Sequence, residues 1–233
     1  MFSVIQQAII NTHRPKTEDE ARQAQKTMAF FDQLLFQIGV LKRREALTGV
    51  LSLPEEKNES EFVPDYSLPF SLTQAQKKVL GQITDDLKVD QKHIMNRLLQ
   101  GDVGSGKTMV AFIAMRYFIE HCADKDSQCA FMAPTEILAW QHFNGFCKFF
   151  PDLESQAVIL TGSHKKAERR IIEEKILTGT AKYVFGTHAL FQEKMEFSHL
   201  GFCVIDEQQR FGVNHRRTLY RKGAAPHQLL LSA

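Results

Sequence analysis

Residues 101–108 read GDVGSGKT, and this string restricts the folds open to the chain more than any other segment. Glycine, four residues, glycine, lysine and threonine form the phosphate-cradling loop pattern, which stands between a strand and the first turn of a helix. Average glycine usage would produce it by accident in roughly one chain of this length per hundred. A second signal makes accident much less plausible: the apolar run Phe202-Cys203-Val204-Ile205 ends in Asp206-Glu207. Together they predict binding of a nucleoside triphosphate with magnesium.

The chemistry of each position follows from its residue type. Gly101, Gly104 and Gly106, with Ser105 between the last two, let the backbone turn tightly and bring N–H groups close to phosphate oxygens. The helix starting near Lys107 adds the positive end of its dipole. Lys107 is placed to reach the β- and γ-phosphates, and the Thr108 hydroxyl to ligate Mg²⁺. Asp206, at the C-terminal end of a strand buried on both faces, faces the crevice where open α/β sheets bind ligands and would hold Mg²⁺ directly or through water. Glu207 is the candidate to orient the attacking water and take up its proton. Taken singly, the loop could be a glycine-rich turn with a capping threonine, and the acid pair ordinary surface chemistry.

Bulk properties bound the reading without deciding it. A chain of 233 residues can hold one full α/β domain plus an appendage. Its net charge of +2 neither demands nor excludes a nucleic-acid partner, since a local basic face would be averaged away. The cysteines, at 122, 129, 147 and 203, form no CxxC pair and read as reduced thiols of a cytosolic protein, with Cys203 as a small buried hydrophobe. No apolar run approaches the roughly twenty residues of a membrane span, and the N-terminus lacks the flanks of a signal peptide. The expectation is a soluble, intracellular protein.

Along the chain the texture changes twice. From Glu18 to about Leu47, apolar residues at Met28, Phe31, Leu35, Ile38 and Leu41 draw one stripe along a helix, with Thr17 and Glu20 as its capping box. Residues 48–69, with Gly49, Pro54, Pro64 and Pro69 around a charged run, read as a linker. We therefore expect a helical segment and linker over 1–62 and an α/β domain over 63–233. Alternating signals in the second part predict helices over 70–87, 109–122, 136–150 and 165–177. They predict strands over 95–100, 128–133, 157–160, 183–186, 202–205 and 229–231, in a parallel sheet with crossover helices.

Other residues carry weaker signals. Phe70 could stack on a purine, and the Gln76 amide could pair with the two-sided edge of adenine. A helix start capped by Thr73 explains the same segment. Thr135, Thr161, Gly162 and Thr187 fall in loops after strands, where hydroxyls and free N–H groups can contact nucleic-acid phosphates without reading sequence. Basic clusters at Lys165-Lys166, Arg169-Arg170 and Arg216-Arg217 suit either a solvated face or a phosphate track. His13, His121 and His199 lack metal-ligand spacing and read as surface histidines.

Jointly, LPFSLTQAQ (68–76), LLQGDVGSGKT (98–108), MAPTEILAWQHF (132–143), LTGSHKKAERR (160–170), GTHALFQ (186–192) and VIDEQQRFGV (204–213) resemble the first motor domain of superfamily 2 helicases. The resemblance is greatest to the RecG family of bacterial ATP-dependent DNA helicases, which remodel branched or forked DNA in recombination and repair. The segment HRPKTEDEARQAQKTMAFFDQLL is similar to that family's helical connector after its wedge domain. The related motor of transcription-repair coupling translocases is the runner-up, and an inactive ATP-binding fragment a third reading.

The resemblance implies a RecA-like P-loop α/β domain, with a mainly parallel sheet and helices on both faces, preceded by an N-terminal helical segment. It implies ATP and Mg²⁺ as cofactors, Phe70 and Gln76 at the adenine, and Lys107, Thr108, Asp206 and Glu207 at the phosphates and metal. It puts Thr135, Thr161, Gly162 and Thr187 along one DNA strand, with Gln208 and Gln209 coupling hydrolysis to movement. Gln209 departs from the histidine usual there. A wedge domain before residue 1 and a second motor domain after residue 233, bearing the arginine finger, are also implied, as is a monomeric, nucleoid-associated protein of the bacterial cytoplasm. On that reading this chain supplies one wall of the ATP cleft and by itself hydrolyses ATP hardly at all.

Overall fold

A computed structural model describes residues 2–48, 66–88, 94–191, 195–207 and 226–232. The chain falls into two compact units, Met1–Glu55 and Glu56–Ala233. The expected boundary at 62/63, most of the 48–69 linker, Gln208, Gln209 and Arg216-Arg217 lie outside the described residues.

The first unit pairs helix α1 (Phe2–His13) with helix α2 (Glu18–Thr48). The pattern predicted α2 but not α1. Among the described residues its buried side chains are Ala8 and Ala24, small enough to let the two backbones approach. The Glu20 N–H donates to Thr17 Oγ1 at 3.2 Å, as a cap requires. The Glu20 carboxylate, however, accepts from the Lys16 N–H rather than from Thr17, so the box closes one residue further out. Much of the apolar stripe is open to solvent: Leu35 is 66% exposed, and Ile38 and Leu41 are exposed too.

The second unit is a six-stranded sheet in the order β1-β6-β5-β2-β4-β3. Its strands are β1 (Asn96–Gln100), β2 (Ser127–Met132), β3 (Ala157–Leu160), β4 (Tyr183–Gly186), β5 (His199–Ile205) and β6 (His227–Ser232). Every pairing is parallel, so all C-terminal ends share one edge. Helix α3 (Gln74–Lys88) precedes β1, and the crossover helices are α4 (Lys107–Tyr117), α5 (Glu136–Phe149) and α6 (Lys166–Leu177).

Alternation along the strands divides the core into two layers. Cys129, Phe131, Phe185, Phe202 and Val204 face α3, α4 and α5, whereas Ala130, Met132, Val184, Cys203 and Ile205 face the layer that includes Ile176 of α6. Both faces are covered, which is why these strands read as continuous apolar runs. The Phe112, Phe146 and Phe185 rings meet edge to face or tilted at 5.2–6.1 Å, an arrangement favoured by the aromatic quadrupole. Burial also raises the Cys203 thiol to about 12, in keeping with a small hydrophobe rather than a reactive thiol.

Three boundaries move for physical reasons. The helix expected from Phe70 starts at Gln74, because Thr73 caps it. The helix expected through Cys122 changes to a π-helix over Phe118–Cys122. Phe118 there packs on Phe202 and passes so close to Gly201 that an added Cβ would meet its ring. Strand β5 begins at His199, because His199 and Leu200 pair with Ser127 and Gln128 ahead of a bulge.

At the end of the sheet, the Met95 N–H donates to His227 Nδ1 at 3.0 Å. Burial lowers the His227 pKa below the usual 6.5, opposed in part by the Asp86 charge. Protonation of Nδ1 would also remove the acceptor. The neutral form is therefore the folded form: its contribution is complete above about pH 6.5 and is lost as pH falls below that value toward the lowered folded pKa. Urea midpoints should fall between pH 7 and 5, and less steeply in His227→Asn; equal slopes would refute this account.

Candidate ATP site

The loop at residues 101–108 follows β1, and Asp206-Glu207 follows β5, with only β6 between the two strands. Because the strands are parallel, both motifs stand on the same edge, one on each side of β6. The start of the loop is held by the Gly101 N–H donating to Ser232 O at 3.3 Å, and its turn by the Ser105 N–H donating to Asp102 O at 3.1 Å. Gly104 and Gly106 both have φ of +83°, the left-handed backbone that forms anion-binding nests. Lys107 is turned inward: its Nζ donates to Gly101 O at 2.5 Å and to Asp102 O at 2.8 Å.

Gln76 combines both readings of its segment. Its N–H donates to Thr73 Oγ1 at 3.2 Å while its Oε1 accepts from the Thr73 N–H at 2.9 Å, a reciprocal capping box. Its Nε2 also donates to Ser105 O at 2.9 Å, so the same side chain touches the phosphate loop. A Cβ on Gly106 would collide with that amide. Left-handed backbone costs a residue with a Cβ about 1–2 kcal/mol as well. Gly106→Ala should therefore weaken ATP binding about tenfold or more at unchanged secondary structure, as read by fluorescence titration. Unchanged affinity would show that the loop tolerates both insults. Phe70 is 44% exposed and stands edge-on to Phe149 at 5.8 Å.

Across β6, the Asp206 N–H donates to Met132 O at 2.9 Å, extending the ladder to the strand's end. Glu207 then adopts φ of +50°, a conformation rare for a residue with a side chain and common where strain is held at functional sites. Sequence reasoning passed over His142. It lies on α5, is 8% exposed, and has Nε2 at 2.9 Å from Asp206 Oδ2. The only signal was position, inside the segment 132–143, two helical turns after Thr135.

The edge formed by β2, β4 and β3 carries the other predicted residues. Thr135 caps α5, its Oγ1 accepting from the Leu138 N–H at 3.3 Å. Thr161 is fully buried, with Oγ1 2.9 Å from Ser163 Oγ and 3.0 Å from His164 Nδ1. Thr187 is 3% exposed. The Gly162 N–H donates to Glu136 Oε1 at 2.9 Å, a link the sequence did not suggest. The Thr135 and Thr161 hydroxyls thus bond within their own loops, and Gly162 is exposed at its turn. Trp140 and His164 stack nearby at 6.0 Å. Lys165, Lys166, Glu168 and Arg170 are exposed beside them, with Arg169 half-buried, a face of mixed sign. His13, His121 and His199 are exposed as expected, and no three metal-ligating side chains cluster among the described residues.

The family description DEAD/DEAH box helicase matches residues 73–233. The chain belongs to that family. Membership accounts for the two motifs on one edge and implies ATP as the nucleotide. Among curated relatives, the ATP-dependent DNA helicase RecG of Streptococcus pneumoniae is 45% identical over 97% of this chain and 33% of its own length. The protein of the same name from Synechocystis is 40% identical over 98% of this chain and 27% of its own. Among solved structures, RecG bound to a three-way DNA junction superposes with a TM-score of 0.75 at 34% identity, covering 97% of this chain and 30% of that one. The UvsW helicase from bacteriophage T4, at 16% identity and a TM-score of 0.53 over 70% of this chain, shares the fold. The RecA-like α/β architecture is thus that of a helicase motor domain. The chain spans about a third of the length of the curated relatives it matches. No helix among the described residues is long and apolar enough to cross a membrane.

Proposed function

We propose that this chain is the ATP-binding motor domain of a RecG-type helicase that works on branched DNA. The observation that carries the reading is the shared edge: a lysine-bearing phosphate loop and an Asp-Glu pair flank β6, with capped and buried threonine loops along the rest of the edge. The donors suit Mg-ATP. A loop with two left-handed glycines offers backbone amides, Lys107 a charge, and Thr108 and Asp206 hard oxygens for a divalent cation. Bound Mg²⁺ would neutralise charge on the phosphates.

The chain's own residues have distinct tasks on this reading. Lys107 exchanges its two carbonyl partners for phosphate oxygens. Thr108 and Asp206 hold the metal, and Glu207 orients a water and accepts its proton. Gln76 reads adenine while gripping the loop through Ser105, and Phe70 flanks the base. Backbone groups at Thr135, Gly162 and Thr187 meet DNA phosphates, the threonine side chains fixing the turns. Since the relatives are about three times as long, activity on DNA is a property of more than these residues, and this chain alone should bind ATP while turning it over very slowly.

A chimera tests the proposal: residues 73–233 replace the matching part of the Streptococcus pneumoniae RecG. We expect three-way-junction DNA to stimulate ATP hydrolysis by the chimera, and Lys107→Ala to remove that stimulation. A folded chimera that binds ATP but ignores junction DNA would overturn the RecG-type assignment.

A further inference from the structure

Asp206 is held by a residue from a different element. His142 projects from α5, and its Nε2 lies 2.9 Å from Asp206 Oδ2 across 64 residues of sequence. Its imidazole is fixed by rings on two further elements: Phe131 of β2 at 4.6 Å, tilted, and Phe112 of α4 at 6.4 Å, edge to face. Both rings belong to the buried core, and the His142 side chain is 10% exposed. An ionised carboxylate can only accept hydrogen bonds, so Nε2 is the ring nitrogen that carries the proton and donates.

The consequence is orientational. Asp206 follows the last residue of β5 and is itself only partly buried, and an aspartate there has two side-chain torsions to settle. Binding Oδ2 to a ring packed in the core restricts the carboxylate plane and leaves Oδ1 for a further ligand. Metal-binding carboxylates are commonly held in this way by a hydrogen-bonded neighbour, and loss of such a neighbour typically lowers metal affinity.

We propose that His142 is a positioning residue for Asp206, fixing the carboxylate that receives the divalent cation of the bound nucleotide. This rests on the proposal that Asp206 is the metal-binding acid. It also gives α5 two duties: Thr135 caps the end beside the threonine loops, and two turns later His142 reaches the ATP half of the edge.

The test is a titration of this chain with a fluorescent ATP analogue over a range of Mg²⁺ concentrations. His142→Phe fills the space between Phe112 and Phe131 but carries no N–H, whereas His142→Gln keeps a donor. We expect the Mg²⁺ half-saturation point to rise about tenfold or more in His142→Phe, with a thermal midpoint near that of the parent chain, and to recover at least in part in His142→Gln. Asp206→Asn is measured alongside. If Asp206→Asn leaves the Mg²⁺ dependence intact, the metal reading fails, and this proposal with it. If Asp206→Asn removes that dependence while His142→Phe matches the parent chain, the positioning role alone is overturned. If His142→Phe does not fold, His142→Gln and His142→Ala decide: equal Mg²⁺ half-saturation in the two overturns the proposal, and a higher value in His142→Ala supports it.

Discussion

Lys107→Ala should remove nearly all ATP binding by this chain while leaving its stability close to unchanged. In the structure the Lys107 ammonium donates to Gly101 O and Asp102 O, carbonyls at a partly exposed loop that water can serve equally well. Their loss therefore costs the fold little. A phosphate group offers far more to the same ammonium, because hydrogen bonds to charged partners contribute about 1.5–3 kcal/mol each. Loss of contacts to two phosphates would weaken binding by about 10²–10⁴-fold. Equilibrium titration with a fluorescent analogue reads the first quantity, and thermal unfolding the second. An affinity within about threefold of the parent chain would mean that the phosphates sit elsewhere, and the site assignment would fall.

The largest expected effect on stability lies far from the ATP site, at Gln128. This glutamine is fully buried in β2. Its Nε2 donates to Ile176 O at 3.0 Å and to Ala181 O at 2.6 Å. Its Oε1 accepts from the Ser198 N–H at 2.8 Å and the His199 N–H at 3.3 Å. One side chain thus completes the backbone bonding of the end of α6, the approach to β4 and the start of β5. Leucine has similar bulk but would remove all four of these bonds from a buried site, and of the four backbone groups Ile176 O keeps the Gly179 N–H as a partner at 3.1 Å. Each buried group left unmet costs about 1–3 kcal/mol, so Gln128→Leu should destabilise the domain by about 3–5 kcal/mol after partial rescue by water. Urea denaturation gives the value, and a loss under about 1 kcal/mol would show that water or local rearrangement replaces the amide.

Elements that depend on neighbours in sequence were legible without coordinates. The strands at 157–160 and 183–186 were found to the residue because an all-apolar run between polar loops is itself the signature of a strand covered on both sides. The phosphate loop was legible because glycine spacing is a local demand of its backbone, met here by left-handed Gly104 and Gly106. Where the reading went astray, a competing local interaction had won. Thr73 took the capping position and shortened α3, and the Glu20 carboxylate bonded to Lys16 rather than Thr17.

Burial was harder to read than type. Thr161 and Thr187 sit at strand ends, as expected, yet their side chains are enclosed. Leu35 belongs to a well-formed apolar stripe and is largely exposed. A helical or extended pattern states which residues share a face, but what covers that face is a property of other parts of the molecule.

The sequence by itself determined the parallel α/β class, the glycine-rich lysine loop and the acid pair at a strand end, because each is encoded in contiguous residues whose backbone geometry is set locally. Only the tertiary structure decided that the loop and the pair flank β6 on one edge. It alone brought His142 to Asp206 and set Gln128 among groups 48 to 71 residues away. Those contacts arise from strand order and helix crossing, which depend on how the whole apolar surface is enclosed, and no single segment carries that information.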